Sequence, residues 1–162
     1  MDFDFVEGVM LYEAWNEPSE TEGSAVGVQL RHQINQMRAI GSTFVGIVDG
    51  VPAVDARMLK PGGGPFTSEG EWNDILLSCM VKDSPRALRR IAQSQLRTDY
   101  KIVFTHGDLH ATSIGVRDGR IVVIIDWEHP GFYPGYVEFS RPLRNANWHI
   151  GYYSALLGVF PC

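Results

Sequence analysis

The 162-residue chain has the length of one domain, and its 44% hydrophobic and 20% charged residues are typical of a globular protein with a buried core. Its formal net charge of −5 argues against nucleic acid as a partner, because nucleic-acid binding relies on basic patches. No apolar run has the length of a membrane span, and we expect no signal peptide in the acidic start MDFDFVEG. The two cysteines, Cys79 and Cys162, form no metal or disulfide pattern, so we expect a cytoplasmic protein with reduced thiols.

The first predicted helix begins after a capping box formed by Ser19 and Glu22. Apolar residues then recur at helical spacing, which predicts a helix over about 20–39 with a buried stripe of Val26, Leu30, Ile34 and Met37. Further along, Asp49-Gly50 lies between two apolar runs and predicts a hairpin turn.

Two more helices are predicted before the chain changes character. Ser68 and Glu71 form a second capping box, which predicts a helix over about 68–81 with an apolar face of Trp72, Ile75, Leu76 and Cys79. Ser84-Pro85 opens a third helix over about 85–96, because proline is tolerated in the first helical turn. We expect its buried stripe to consist of Leu88, Ile91 and Leu96.

From residue 101 onward, short β segments replace the helices. Residues 102–104 predict a buried strand, 105–112 a polar loop, and 114–116 and 121–125 two strands around a turn at Asp118-Gly119. Asp108 lies in the loop and Asp126 at the end of the last strand, so the hairpin brings the two carboxylates towards each other. Paired carboxylates suit a divalent cation, which prefers oxygen ligands. An isolated His-Gly-Asp loop could equally use its histidine to satisfy backbone groups.

The order of these features resembles a known family. HGDLHATSIGV followed by VVIIDWE is similar to the catalytic core of aminoglycoside phosphotransferase-like kinases, relatives of choline kinase, which reads HGDLHPxNILV and then GIIDWE. PGFYPGYVEF is similar to the family's AGWYPEYWEY, FVEGVMLYEAW to its hinge, and GGPFTSEGEWNDILL to a helical insert of one subgroup. The resemblance implies an α+β, protein kinase-like C-terminal lobe, mainly helical, with a small β-hairpin. It implies one domain over 1–162, with a hinge-like segment at 1–15 and the catalytic and metal loops at 101–136.

The resemblance also implies roles for four residues. Asp108 matches the catalytic aspartate that accepts or orients the substrate hydroxyl proton, and His106 matches a histidine that braces the loop. Asp126 matches the aspartate that holds magnesium on the nucleotide phosphates. Ser113 stands where the family has an asparagine as second metal ligand. Mg²⁺ and ATP are the implied cofactors, and the implied acceptor is a small hydroxyl compound whose identity the sequence does not reveal.

Two departures from the family pattern bear on activity. Magnesium demands near-ideal octahedral geometry at about 2.0–2.1 Å, so the shorter side chain of Ser113 predicts weakened metal binding. The family's N-terminal lobe covers the nucleotide and supplies a phosphate-binding lysine, whereas the lysines of this chain that would be candidates come too late in the order: Lys60, Lys82 and Lys101. We therefore expect a C-terminal lobe alone, truncated, with one more helix over about 147–157.

A lobe without its partner should leave apolar surface exposed, here around Phe3, Phe5, Val6 and Leu11. Exposed apolar patches promote association, so we expect self-association or a partner chain at this hinge-like face, and neither a membrane nor nucleic acid as partner.

Three functions stay open at this point. The chain is a small-molecule kinase that is truncated and weakly active or inactive, a non-catalytic pseudokinase lobe that acts as a binding or interaction module, or a helical domain without any link to nucleotides. The presence of both Asp108 and Asp126 favours kinase ancestry over the third function. Ser113 and the expected lack of a second lobe favour the binding module over an active enzyme for this chain on its own.

Overall fold

The computed structural model describes residues 6–15, 20–48, 63–79, 84–143, 152–153 and 158. The chain forms mixed helix and sheet structure. Its elements in chain order are β1 (Val9–Met10), α1 (Leu11–Ala14), α2 (Glu20–Arg38), β2 (Gly46–Ile47), α3 (Glu69–Ser78), α4 (Arg86–Gln95), β3 (Ile102–Thr105), a 3₁₀ turn (Ala111–Ser113), β4 (Ile114–Arg117), β5 (Arg120–Ile124), β6 (Gly131–Pro134) and α5 (Val137–Leu143).

Two compact units divide the chain. Unit 1 comprises residues 1–37, 106–128 and 137–162, and unit 2 comprises residues 38–105 and 129–136. None of the described helices is long and apolar enough to cross a bilayer. Several sequence predictions lie outside the described residues: the cap at Ser19, the turn at Asp49-Gly50, Phe3, Phe5, Cys162, and most of the helix over 147–157.

Unit 1 is built on an antiparallel sheet with the strand order β1-β4-β5. The predicted β4–β5 hairpin is confirmed, and its turn residues Asp118 and Gly119 have φ of 51° and 71°. Positive φ at both central residues is the geometry that a two-residue hairpin turn requires, and it favours the Asp-Gly pair. Gln29 of α2 fastens this hairpin, since its Nε2 donates to the Gly119 carbonyl (2.9 Å) and its Oε1 accepts from the Ile121 amide (3.1 Å).

The core of unit 1 confirms the predicted stripe of α2. Val26, Leu30 and Ile34 are buried, and Met37 packs against the cluster they form. The cluster also contains buried side chains from α1 and the residue after it, from the loop and 3₁₀ turn after β3, from β4 and from residues 152–153, namely Leu11, Trp15, Leu109, Ala111, Ile114, Val116, Tyr152 and Tyr153. Burial of these side chains fixes where the loop that carries Asp108 begins and ends.

Unit 2 contains the antiparallel sheet with the order β2-β6-β3, together with α3 and α4. The predicted cap of α3 is confirmed, because the Glu71 amide donates to Ser68 Oγ at 3.2 Å. The Glu71 carboxylate reaches back to the Thr67 amide at 2.8 Å, which satisfies another amide just ahead of the helix. Trp72 leads the apolar face of α3 and is buried as predicted.

The prediction of a buried stripe on α4 is wrong. Leu88 and Ile91 are 50% and 59% exposed, and no residue of α4 is buried. The half-buried residues of this helix are Arg89 and Ala92, which lie on an adjacent flank. The amphipathic pattern was real, but periodicity alone does not specify which flank of a helix the rest of the protein covers.

The predicted exposure of Leu11 is also wrong, because this side chain belongs to the unit 1 core and is 2% exposed. Large apolar side chains are nevertheless exposed close by, at Val6, Val9 and Tyr12.

Because these side chains are exposed, we still predict self-association through this face. Sedimentation velocity over a range of concentrations should show association that a Val9→Ser/Tyr12→Ser double variant weakens by about tenfold or more, because burying each apolar side chain contributes about 1.5–3 kcal/mol.

The matched control is Val28→Ser, which changes an exposed apolar side chain on α2. This variant should associate like the unchanged chain. A clean monomer at every concentration, or equal weakening by both variants, would contradict the predicted face.

Candidate functional site

The site is built on the loop that follows β3, and a buried carboxylate holds the start of that loop. Glu138 on α5 accepts hydrogen bonds from the amides of His106 (2.5 Å, at Oε2) and Gly107 (3.2 Å, at Oε1). Arg141, one turn further along α5, donates from Nη1 to the Gly107 carbonyl at 3.4 Å. Both side chains are buried, so this backbone is fixed by polar contacts that water does not replace.

The imidazole of His106 is buried and its hydrogen bonds define one tautomer. Its Nδ1 accepts from the Asp108 amide at 3.2 Å, and its Nε2 lies 2.8 Å from the Ile125 carbonyl. An amide can only donate and a carbonyl can only accept, so the neutral ring carries its proton on Nε2. Burial lowers the pKa of His106, which favours the same neutral form.

Trp127 covers this ring, with centroids 4.4 Å apart, and its indole N–H donates to the Ile124 carbonyl at 2.8 Å. Trp127, the residue after the Ile124-Ile125-Asp126 segment, therefore packs beside His106.

Asp108 projects from a tightly hydrogen-bonded turn. Its carbonyl accepts from the His110 amide (2.9 Å) and from Ser113 Oγ (3.4 Å). Its carboxylate Oδ1 lies 2.8 Å from His110 Nε2, and both side chains are about one-fifth exposed. A carboxylate placed in this way is oriented by its neighbours and still reachable from solvent.

Asp126 lies two residues after the end of β5, and the residue before it pairs with the end of the same loop. The Ile125 amide donates to the Ser113 carbonyl at 2.9 Å, which extends the β4–β5 pairing to the position before Asp126. Asp126 is exposed and has φ of 68°, a left-handed conformation that a non-glycine residue adopts at a cost of about 1–3 kcal/mol. Such strain is concentrated at functional sites.

The charges of Asp108 and Asp126 both act on the His106 imidazole. After burial, which is the largest influence and lowers the pKa of His106, the bond to Ile125 and these two carboxylates act to raise it. The backbone at both segments also contacts this ring, through the Asp108 amide at Nδ1 and through the carbonyl of Ile125, the residue before Asp126, at Nε2.

The donor set fits a magnesium–nucleotide complex better than a metal held by protein alone. Among the described residues there is no group of three His, Cys, Asp or Glu side chains that could hold a metal ion. Magnesium is commonly bound through one or two carboxylates together with substrate phosphates, and the exposed Asp126 can supply such a ligand. The hydroxyl of Ser113 is buried and directed to the Asp108 carbonyl, so it is a poor second ligand in this conformation.

Sequence reasoning missed several residues of this site. Glu138 and Arg141 bind the backbone of the loop. His110 lies beside the Asp108 carboxylate, and the Tyr153 hydroxyl lies beside His110. His110 has the most accessible signal, because it lies within the HGDLHATS segment itself. The others are distant in sequence, and a charged or aromatic residue there gives no local sign of its partner.

The fold is similar to the kinase-like fold of solved aminoglycoside phosphotransferases. No family model and no curated protein matches the chain. The solved structure of a streptomycin–ATP–APH(2")-IIa ternary complex matches with a TM-score of 0.51 and 16% identity, over 83% of this chain and 46% of that one. A gentamicin–APH(2")-IIa complex matches with a TM-score of 0.51 and 14% identity, over 96% of this chain and 57% of that one.

The chain thus spans about half the length of these solved structures. At such low identity the likeness shows the fold alone.

Proposed function

We propose that this chain is the C-terminal lobe of a phosphotransferase that moves the γ-phosphoryl group of ATP to a small-molecule alcohol. The observation that carries the proposal is that the buried imidazole of His106 contacts the backbone at both acidic segments: its Nδ1 accepts from the Asp108 amide, and its Nε2 lies 2.8 Å from the carbonyl of Ile125, the residue before Asp126. The kinase-like fold supports it, since phosphoryl transfer depends mainly on positioning and on charge.

Asp108 accepts or orients the proton of the acceptor hydroxyl in this proposal. The acceptor oxygen forms a new bond to the γ-phosphorus while the bond from that phosphorus to the β-γ bridging oxygen breaks, which yields ADP and a phosphate ester. The hydroxyl proton passes to Asp108 and then to solvent, which reaches this partly exposed carboxylate. His106 holds the Asp108 amide, so a neutral ring serves the loop as a brace.

Asp126 is the residue we assign to holding Mg²⁺, with Ser113 as a weak second ligand. Mg²⁺ bound with ATP neutralises charge on the phosphates. The positive φ of Asp126 supports this assignment, because left-handed conformations of non-glycine residues are concentrated at functional sites.

The alternative is a non-catalytic lobe that serves as a binding or interaction module. The bond from Ser113 Oγ to the Asp108 carbonyl favours it, because a hydroxyl used to tie the loop is not free to complete a metal site. The phosphotransferase and the binding module would have the same loop structure. They differ in whether phosphate is transferred.

The decisive experiment measures nucleotide binding and phosphate transfer with the purified 162-residue chain. We expect weak, magnesium-dependent ATP binding by isothermal titration calorimetry that Asp126→Ala reduces by about 10–100-fold, the value of one contact to a charged group. Ser113→Asn should tighten binding by about tenfold, whereas Ser113→Ala should not. Failure of wild type and Ser113→Asn to bind nucleotide at all would contradict the proposal.

Turnover should be marginal for the chain on its own, assayed with radiolabelled ATP against aminoglycosides and amino alcohols. Each missing electrostatic contact to the transferred phosphoryl group costs about 10²–10³-fold in rate, and the chain has no lysine where the family resemblance expects one. Transfer that disappears in Asp108→Ala would support the enzyme. Nucleotide binding without any transfer would favour the binding module.

A further inference from the structure

The helix α4 presents an exposed face that is both apolar and basic. Leu88 and Ile91 are 50% and 59% exposed, and Arg86, Ala87 and Arg90 are exposed as well. Residues three and four positions apart are neighbours on a helix surface, so these five side chains form one continuous patch, which we call the basic face. Residues 84–98 contain no acidic side chain, so nothing within this segment neutralises the patch.

A second exposed face, at the start of unit 1, is apolar and acidic. Val6, Val9 and Tyr12 are 43%, 50% and 50% exposed. Glu7 and Glu13 lie in the same short segment and are also exposed. We call these five residues the acidic face. It carries apolar side chains of the same kind as the basic face, but the opposite charge.

Neither face fits a second copy of itself. In a symmetric dimer the same surface meets itself, so the acidic face would set Glu7 and Glu13 against the same two glutamates, and the basic face would set Arg86 and Arg90 against the same two arginines. Like charges placed together across an interface oppose association. Glu7 Oε2 lies 3.3 Å from Arg117 Nη1 and is partly neutralised by it, so the charge of the acidic face comes mainly from Glu13.

We propose that the basic face of one copy of this chain binds the acidic face of a second copy. In this contact Leu88 and Ile91 pack against Val9 and Tyr12, and the arginines lie beside the glutamates. The apolar side chains supply most of the affinity, whereas the charges decide which faces meet. Such a contact is head to tail, so every oligomer keeps one unused face of each kind and can grow further. This inference depends on neither nucleotide nor phosphate transfer.

The decisive test mixes two variants that each lack one face. Leu88→Gln/Ile91→Gln removes the apolar part of the basic face while keeping good helix formers, and Val9→Ser/Tyr12→Ser removes that of the acidic face. Circular dichroism establishes that both variants fold. In sedimentation velocity the unchanged chain should form a series of oligomers, and each variant on its own should associate about tenfold or more weakly. An equimolar mixture retains one complete contact, so it should form a dimer that grows no further.

A second pair of variants tests the charges. Arg90→Glu and Arg120→Glu change the net charge equally and at exposed positions, but only Arg90 belongs to the basic face. Arg90→Glu should weaken association about tenfold, because it replaces an attraction across the contact with a repulsion, and Arg120→Glu should associate like the unchanged chain. Higher salt should weaken association of the unchanged chain, because it screens exposed charges.

Three results would overturn the proposal. The first is a mixture of the two double variants that forms no dimer. The second is a Leu88→Gln/Ile91→Gln variant that associates as strongly as the unchanged chain, which would show that α4 takes no part in self-association. The third is an unchanged chain that is monomeric at every concentration; if it then binds vesicles that contain phosphatidylserine, the basic face takes an anionic lipid surface instead of a second copy.

Discussion

Replacing Trp72 with alanine should lower the free energy of unfolding by about 3–5 kcal/mol, the usual cost of removing a core aromatic side chain. Trp72 is 2% exposed within unit 2. Its ring meets those of Phe66 and Tyr133 edge to face, with centroids 6.0 and 5.3 Å away, and its indole N–H donates to the Tyr136 hydroxyl at 3.2 Å. The substitution therefore removes packing, aromatic contacts and a hydrogen bond together.

Urea unfolding followed by circular dichroism measures this change in the free energy of unfolding. Two further variants show how much of it comes from the hydrogen bond and how much from burial. Trp72→Phe keeps an aromatic ring but loses the bond to Tyr136, so it should cost about 1–3 kcal/mol. Leu88→Ala shortens an apolar side chain on the neighbouring helix α4 that is already half exposed, and it should cost less than about 1 kcal/mol. A loss below about 1 kcal/mol for Trp72→Ala would contradict the buried assignment of α3.

The parts of the fold that sequence predicted are those whose signals are local. The β4–β5 hairpin was predictable because β-branched strands flank an Asp-Gly pair, and the positive φ of both turn residues is what that pair accommodates. The helix α3 was predictable because Ser68 and Glu71 cap it within one turn. Neither inference needed information from elsewhere in the chain.

The helix α4 shows where local information ends. Its arginines and its apolar residues do fall on opposite sides, but the flank that the rest of unit 2 covers carries Arg89 and Ala92. Which side of an amphipathic helix is buried depends on tertiary packing, which a periodic pattern does not encode. Leu11 was predicted to be exposed and is buried, because it packs with residues of α2 and β4 that are distant in sequence.

The candidate site divides in a similar way. The positions of Asp108 and Asp126 relative to the hairpin followed from strand ends and a short loop. The contacts that orient Asp108 did not, because Tyr153 lies 43 residues from His110 in sequence. The left-handed conformation of Asp126 was not predicted either, because aspartate adopts it more often than most residues but still only in a minority of cases, so the residue type does not specify it.

Glu138→Ala should have the second large effect, because this carboxylate is 1% exposed and accepts from two backbone amides. Alanine leaves the amides of His106 and Gly107 buried without their acceptor, and each unsatisfied buried group costs about 1–3 kcal/mol. We therefore expect the free energy of unfolding to fall by about 3–5 kcal/mol, with the loop of Asp108 the first segment to loosen.

Two matched variants distinguish the loss of the Glu138 carboxylate from a general effect of substitutions in α5. Glu138→Gln keeps one acceptor oxygen and should cost less, about 1–3 kcal/mol, whereas Ser140→Ala alters an exposed position of the same helix and should cost less than about 0.5 kcal/mol. Hydrogen exchange supplies the local readout: the amides of His106 and Gly107 should exchange faster in Glu138→Ala than the amides of β4, because local opening then precedes global unfolding. If these two amides stay as protected as those of β4, the loop is held by its buried core side chains and not by Glu138.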